Sequence, residues 1–260
     1  MSQPKGYVDA DYLDTTARLM APSKRRSYEL MHLEPGHRVL DVGCGPGSDT
    51  LAISNLVGPA GEVYGADYDA QMVSQANERA QAAGVSAHVT HRQADACALP
   101  WQANFFNASR SERMLQHLRD PERAFVEMVR VTRPSGWVVV LDSDWATFTI
   151  DSDEPELERR LVRFHTEKRM NNPFSGRTLH RLFRSYGLQE ITIEVYPVFL
   201  TDYALARKLM QLDQIAQEAQ AAGVIDRDEF MRWQASLERS AAIDGFFTNT
   251  NVVTLAGRKL

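Results

Sequence analysis

The chain is 260 residues long with 43% hydrophobic and 24% charged residues, the balance of a packed globular protein rather than a disordered or fibrous one. Its 29 basic against 34 acidic side chains leave a formal charge of −5, without the basic excess that a phosphate backbone attracts. The densest apolar run, Trp137 to Leu141, is far shorter than the roughly 20 residues of a spanning helix, and the first residues lack the apolar stretch of a secretion signal. The two cysteines, Cys44 and Cys97, stand outside any C-x-x-C or Cys/His metal spacing and cannot build a disulfide framework. These features predict a cytoplasmic protein that engages neither nucleic acid nor membrane, holds reduced thiols and carries no metal.

Two helices are read first, Tyr7 to Met20 and Ser23 to Leu33, the second with Ser23 as N-cap and closed by Glu34-Pro35-Gly36; residues 1–36 form an N-terminal helical cap. Strands over Arg38 to Val42, Glu62 to Ala66, His88 to Gln93, Asn104 to Ser109 and Trp137 to Leu141 then alternate with helices near Asp49 to Leu56, Ala70 to Ala83 and Asp120 to Val131. Pro121 occupies the favoured first position of the last of these helices. Repeated β-α-β implies a mostly parallel sheet, with its core over residues 37–150. A charged helix from Glu154 to Met170, a turn at Asn171 to Gly176 and a short helix from Arg177 to Tyr186 read as lid helices over 151–188. Two late strands, Gln189 to Phe199 and Asn251 to Gly257, flank a helical insertion over 201–248. Its stripes, Leu205, Leu209, Leu212, Ala216 and Ala219, then Phe230, Trp233, Leu237 and Ala241, hold too little apolar surface for an independent core, so residues 1–260 are expected to form a single domain.

The most informative stretch is Val39-Leu40-Asp41-Val42-Gly43-Cys44-Gly45-Pro46-Gly47, a hydrophobic strand running into three glycines at alternate positions. Glycine there lets the backbone turn tightly and approach a ligand with no Cβ in the way. A dinucleotide fingerprint is spaced differently: here the third glycine comes one place early and Ser48 stands in its position. Asp41 would repel a pyrophosphate but can hydrogen-bond the loop or a ligand ammonium group. Asp67, at the end of the second strand, lies where a ribose diol is gripped, with Tyr68 beside it. Asp95, after the third strand, can accept from an adenine amino group while the Ala96 N–H faces a ring nitrogen. Two acids at successive strand ends fit an uncharged nucleoside.

Together these residues resemble the class I S-adenosylmethionine-dependent methyltransferases, especially the branch of ubiquinone and menaquinone C-methyltransferases and natural-product methyltransferases. The resemblance spans Arg38 to Leu141. It rests on VLDVGCGPG, on GAD ending at Asp67 with Met72 following, on QADA around Asp95, and on LPWQANFFNASRSERMLQHLRDP leading into RVTRPSGWVVVLD. It implies an α/β fold, a Rossmann-like seven-stranded sheet in the order 3-2-1-4-5-7-6, with S-adenosyl-L-methionine as cofactor. It further implies that Gly43 and Gly45 line the methionine part, Asp67 takes the ribose hydroxyls, Met72 packs near the adenosine, Asp95 and Ala96 read adenine, and Ser111 lies beside the methionine moiety. Ser135 departs from the pattern where a second glycine is usual before strand five. Arg110-Ser111-Glu112-Arg113 also departs, placing charge in a stretch that is mostly apolar or small in the family. Pairing of these charges with each other is the expectation, since charges near a sheet edge survive when paired; contact with the cofactor carboxylate or the substrate is the alternative.

The expected reaction is methylation of an oxygen or nitrogen nucleophile on a small metabolite or natural product of secondary metabolism. C-methylation of a quinone or polyketide precursor and a non-catalytic binding protein are the alternatives. His117 is the leading general base, with a helix-capping histidine as the plainer reading. Asp142 and Asp144, at alternate positions after strand five, are candidates to orient it or accept a proton, or else are solvated loop carboxylates. Tyr7, Tyr12, Trp145 and Phe174 are the substrate-side candidates, the last two competing with a core or lid packing role. A homo-oligomer is left open.

Overall fold

Parallel strands need crossover connections, and helices supply three of the four between the first five strands, the link over 94–105 having none. The computed structural model describes Thr16 and residues 18–260. Strands β1 (Arg38–Val42), β2 (Glu62–Asp67), β3 (Val89–Gln93), β4 (Phe106–Glu112), β5 (Thr132–Ile150), β6 (Gln189–Leu200) and β7 (Thr248–Arg258) form one sheet. Its order is β3-β2-β1-β4-β5-β7-β6, parallel from β3 to β5, with β7 antiparallel to both of its neighbours. This is the expected Rossmann-like arrangement. The helices are α1 (Ala21–Glu29), α2 (Ser48–Val57), α3 (Ala70–Ala82), α4 (Pro121–Val131), α5 (Pro155–Arg169), α6 (Ser175–Ser185), α7 (Tyr203–Met210), α8 (Leu212–Ala221) and α9 (Arg227–Ala242).

Several boundaries differ from the sequence reading, among them the ends of β4, at Phe106 and Glu112, and the start of β5, at Thr132, and three differences have identifiable reasons. Ser23 is not an N-cap: it lies inside α1, with Pro22 in the first turn, and its Oγ donates back to the Met20 carbonyl at 2.9 Å. The insertion divides into three helices, broken at Gln211, which has a left-handed φ of 54°, and restarted by a capping box between Asp226 and Glu229. The largest difference is at β5, expected to stop at Leu141 but continuing to Ile150. Backbone pairing with β7 carries it on, joining Asp142 to Val253, Ser143 to Val252 and Asp144 to Asn251, and resuming at Thr149 and Ile150. Most of the helix expected over Tyr7 to Met20, with Tyr7 and Tyr12, lies outside the described residues.

The period of two along the strands divides the core. Leu40, Val42, Val138 and Val140 face Phe125, Met128 and Phe183 on one side, while Val39, Val139 and Leu141 face Ile53 and Val57 on the other. A third cluster joins Trp145, Phe148 and Ile150 of the β5 extension to Leu157 and Leu161 of α5 and to Leu209, Leu212, Ile215, Trp233 and Leu237 of α7 to α9. The insertion therefore packs on a core it shares with the sheet. No helix among the described residues is long and apolar enough to cross a membrane.

Leu237 is 1% exposed within this shared cluster, so Leu237→Ala is expected to cost about 2–5 kcal/mol. Because the cluster is shared, urea unfolding followed by circular dichroism and by tryptophan fluorescence should shift together. An early transition confined to the insertion would show instead that residues 201–248 fold by themselves.

Candidate active site

Beyond β1 the chain turns through Gly43, Gly45 and Gly47, with φ of 76°, 51° and 82°, all left-handed. A Cβ on Gly47 would come within 2.9 Å of the Ala76 Cβ, so the loop sits against α3 only because it is bare. The N–H groups of Gly43 and Cys44 both donate to the Ala66 carbonyl, at 2.8 and 3.0 Å, and the Gly45 N–H donates to Asp67 Oδ2 at 2.8 Å. Asp67 Oδ1 accepts from the Asp69 N–H at 2.9 Å. Burial pushes the Asp67 carboxyl above the usual carboxylate range, although the Asp69 and Gly45 N–H groups pull it down. Asp95 is oriented in turn by the Cys97 N–H, at 2.8 Å.

Gly43, Gly45, Asp67, Met72, Asp95 and Ala96 all line one cavity of about 910 Å³, with exposed Tyr68 also at its wall. Two carboxylates separated by Met72, Ala94 and Ala96 complement a ligand whose hydroxyl and amino groups are joined by a flat apolar body, and they oppose a pyrophosphate. This donor set fits S-adenosyl-L-methionine.

Asp41 and Ser111 do not reach that cavity. Asp41 is buried under the loop, with Oδ1 accepting from Arg110 Nη1 at 3.1 Å, so its partner is an internal guanidinium rather than a ligand ammonium group. Ser111 is fully enclosed within β4, on the face opposite Arg110 and Glu112 as strand alternation requires. The charged stretch is internally paired. Arg110 Nη2 donates to Glu112 Oε2 at 2.5 Å, and Lys24 Nζ bridges Glu112 and Asp49 at 2.7 Å each. The Tyr28 hydroxyl also donates to Asp49. Burial pushes Asp49 up, but Arg110 and Lys24 overcome it and hold the carboxyl well below the usual range. Glu112 and Arg113, at the strand end, do reach the cavity.

After Arg113, which has a left-handed φ of 49°, a single 3-10 turn over Leu115–His117 carries Gln116 and His117 to the cavity wall. Asp142 and Asp144 share a face, as their spacing requires, but it is the face covered by α6. Ser143 and Trp145 are the residues of β5 that line the cavity. Asp142 Oδ2 accepts from the Gln116 N–H at 3.0 Å and from the Ser175 hydroxyl at 2.8 Å, and Oδ1 accepts from the Ser143 N–H at 3.1 Å. Asp144 pairs with Arg177 Nε at 2.7 Å. Both carboxylates are therefore placed to hold structure and not to touch an acceptor. Phe174 is 42% exposed outside the cavity, beneath the Arg177 guanidinium.

Trp145 does line the cavity, and its Nε1 donates to Gln116 Oε1 at 2.8 Å, while Gln116 Nε2 lies 3.0 Å from His117 Nε2. Met170, Leu209 and Met210 supply apolar wall, and Asn171 Nδ2 donates to the His117 carbonyl at 2.7 Å. Gln116, Ser143 and His165 are wall residues that the sequence reading did not single out. Ser143 shares the strand face of Trp145, and His165 continues the helical spacing of Leu157 and Leu161, so both had a periodic signal. Gln116 had only its adjacency to His117.

Comparisons with known proteins place the chain. Residues 40–140 match the family described as a methyltransferase domain. A protein of Streptomyces fradiae, an uncharacterized 37.1 kDa protein in transposon TN4556, is 32% identical over 250 residues, covering 95% of this chain and 71% of its own. A ubiquinone/menaquinone biosynthesis C-methyltransferase of Pseudomonas savastanoi pv. phaseolicola is 40% identical over 119 residues, 46% of each chain. Among solved structures, phosphoethanolamine N-methyltransferase 2 of Haemonchus contortus, in complex with S-adenosyl-L-methionine, superposes with a TM-score of 0.60. It covers 99% of this chain and 61% of that one at 18% identity, a likeness of fold. The chain belongs to the class I S-adenosylmethionine-dependent methyltransferases, and S-adenosyl-L-methionine is its cofactor.

Burial with no cationic partner in hydrogen-bond contact pushes the Asp142 carboxyl up to about 7, despite its three donors. A carboxyl raised in the folded state contributes stability that is full below its unfolded value, near 4, and that is lost as pH rises through about 7. Relative to Asp142→Asn, which cannot ionise, the wild type should therefore lose stability between pH 5 and pH 8, by up to about 1.4 kcal/mol per pH unit below the folded midpoint. Urea unfolding at the two pH values checks this. A wild-type stability that rises relative to Asp142→Asn between the two pH values would show that the ionised form is the favoured one.

Proposed function

We propose that this enzyme methylates an oxygen or nitrogen nucleophile of a small organic acceptor, with the cofactor and the acceptor sharing the one cavity. The observation that carries this is its continuity. The same walls run from Asp67 and Asp95 to His117, Trp145, Met170 and Leu209, and about 910 Å³ lies at the upper end of the range for small-molecule sites. In this reading Gly43 and Gly45 lie along the methionine part, Asp67 takes the ribose hydroxyls, Met72 and Tyr68 flank the adenosine, and Asp95 with Ala96 meets the adenine edge. Bound there, the cofactor supplies an electrophilic methyl carbon. The protein's part is to exclude water and hold the acceptor in line, which can lower the barrier by several kcal/mol. His117 is the imidazole at the wall that meets the reactive end of the acceptor.

Methylation of a carbon in a quinone or polyketide precursor is the second reading, favoured by the name of the Pseudomonas relative, whose match covers under half of each chain. Formation of S-adenosylhomocysteine, followed by mass spectrometry against a panel of phenols, amines and quinols, tests the reaction class. Binding without turnover on the whole panel would favour a binding protein.

Asp67→Ala removes charge-assisted hydrogen bonds and is expected to weaken S-adenosylhomocysteine binding by roughly 1.5–3 kcal/mol, or about 10- to 150-fold. Calorimetry measures it, and an unchanged affinity would take Asp67 out of the site.

A further inference from the structure

The part of the cavity assigned to the acceptor has the sheet as its floor. Ser143 on β5 pairs with Val252 on β7, and Val198 on β6 pairs with Thr250 on β7. Cross-strand partners and alternate residues of one strand share a face. Ser143, Val252, Thr250 and Val198 therefore lie side by side, and all four line the cavity. Asp67 stands on β2, with β1, β4 and β5 between it and β7. The floor is thus at the end of the cavity away from the carboxylates that face the cofactor.

Two hydroxyls on this floor have no hydrogen-bond partner among the described residues. Thr250 is 5% exposed, and its Oγ1 meets neither a donor nor an acceptor. Ser143 is 3% exposed; its N–H donates to Asp142, while its hydroxyl bonds no other residue. The Ser111 and Thr254 hydroxyls are unbonded too, but neither lines the cavity. The backbone also keeps Thr250 bare. β5 pairs with β7 as far as Asp144 with Asn251 and resumes at Thr149 with Asn249, so residues 145–148 bow out opposite the single residue Thr250. The bow is held in place: the Trp145 N–H donates to the Pro173 carbonyl at 3.0 Å, and Thr147 Oγ1 accepts from the Asn251 N–H at 2.9 Å. Irregularities of this kind re-aim side chains beside binding sites.

We propose that Ser143 and Thr250 are specificity-determining residues that receive an uncharged oxygen of the acceptor, a hydroxyl or a carbonyl, at the end remote from methyl transfer. This rests on the proposed function, in which the acceptor occupies this cavity. Each hydroxyl can donate one hydrogen bond and accept others, so the pair serves either kind of oxygen. It does not serve a charged group. A carboxylate or ammonium enclosed here would need a counter-charge. The neighbours on the floor are Val198 and Val252, and Glu112 and Arg113 at the end of β4 already face each other at 3.4 Å. A hydrocarbon end is disfavoured as well, because covering a hydroxyl without bonding it costs free energy.

Two probes of one shape test this on the full chain saturated with S-adenosylhomocysteine, where no methyl group can be transferred. They are p-hydroxybenzyl alcohol and p-ethylphenol, which differ by an oxygen in place of a methyl group. Dissociation constants come from chemical-shift titrations. From wild type to the variant carrying both Ser143→Ala and Thr250→Val, their ratio should shift toward p-ethylphenol by roughly 5- to 30-fold, the size of two neutral hydrogen bonds. Each single variant should give part of the shift, and the affinity for S-adenosylhomocysteine should stay the same. A ratio unchanged in the double variant would overturn the proposal and leave the proposed function standing. If neither probe binds beside S-adenosylhomocysteine, the shared cavity holds no acceptor, and both fail. Thr250→Val also has a readout that needs no ligand and decides even where the double variant fails to fold. It keeps the shape of the side chain and removes a hydroxyl that bonds nothing, so it should melt at or above the wild-type temperature. A lower melting temperature would show that this hydroxyl serves the fold and would overturn its assignment to the acceptor.

Discussion

Arg110 is fully enclosed, and a guanidinium without water costs several kcal/mol unless carboxylates and hydrogen bonds surround it. Those partners come from separate parts of the chain: Asp41 from β1, Asp49 from α2, Glu112 from β4, and Ser27, whose hydroxyl accepts from Arg110 Nε at 2.9 Å, from α1. Satisfying one cation therefore fixes the N-terminal helix against the sheet directly beneath the glycine loop. Lys24, also from α1, balances the remaining acidic charge on Asp49 and Glu112. The cavity inherits this geometry, since Met20 just before α1 and Glu112 at the end of β4 both contribute to its wall. A stretch that departs from the family's apolar pattern is thus a structural device, and its charges are too committed to one another to serve a ligand first.

The central part of the fold was legible because its signals are local. The first five strands carry their own hydrophobic runs, and the helices after β2 and β4 open on the side-chain caps Asp69 and Asp120. Even the departure at Ser135 has a counterpart in the backbone, where this serine adopts the left-handed φ of 62° that a glycine would take more easily. The end of β5 was not legible. Its apolar run stops at Leu141, whereas the strand continues through Asp142, Ser143 and Asp144 because β7 offers backbone partners that make no demand on side-chain type. Period-two reasoning put the two aspartates on one face correctly. Which face it was depended on α6, an element distant in sequence, whose Gly176 packs against the Asp142 backbone: a Cβ there would meet the Asp142 carbonyl oxygen at 2.9 Å.

The same contrast separates the two halves of the cavity. Asp67 ends β2, Met72 follows it by five residues and Asp95 follows β3 by two, so a strand reading leads straight to them. The other half, which we assign to the acceptor, is assembled from the turn after β4, the β5 extension, α5 and the junction of α7 with α8, and no short stretch of sequence contains it. Phe174 shows the limit of composition here. An aromatic residue in a turn near the strand ends is a reasonable wall candidate, but the turn directs it outward, and buried Trp145 takes that place.

Asp142 shows how a residue picked for chemistry can serve it indirectly. As a carboxylate it accepts from Ser175, from the Gln116 backbone and from Ser143, and so fixes the 3-10 turn on which Gln116 and His117 sit. When protonated it becomes a donor, and the Ser175 hydroxyl, which carries two lone pairs, can reverse its role to accept. The two backbone N–H groups can still be served by the carboxyl's remaining lone pairs. The turn can thus keep its geometry through the ionisation of a group whose midpoint lies near neutrality. That tolerance matters because a backbone shift at Gln116 would separate its amide from Trp145 and His117 together, and all three line the cavity.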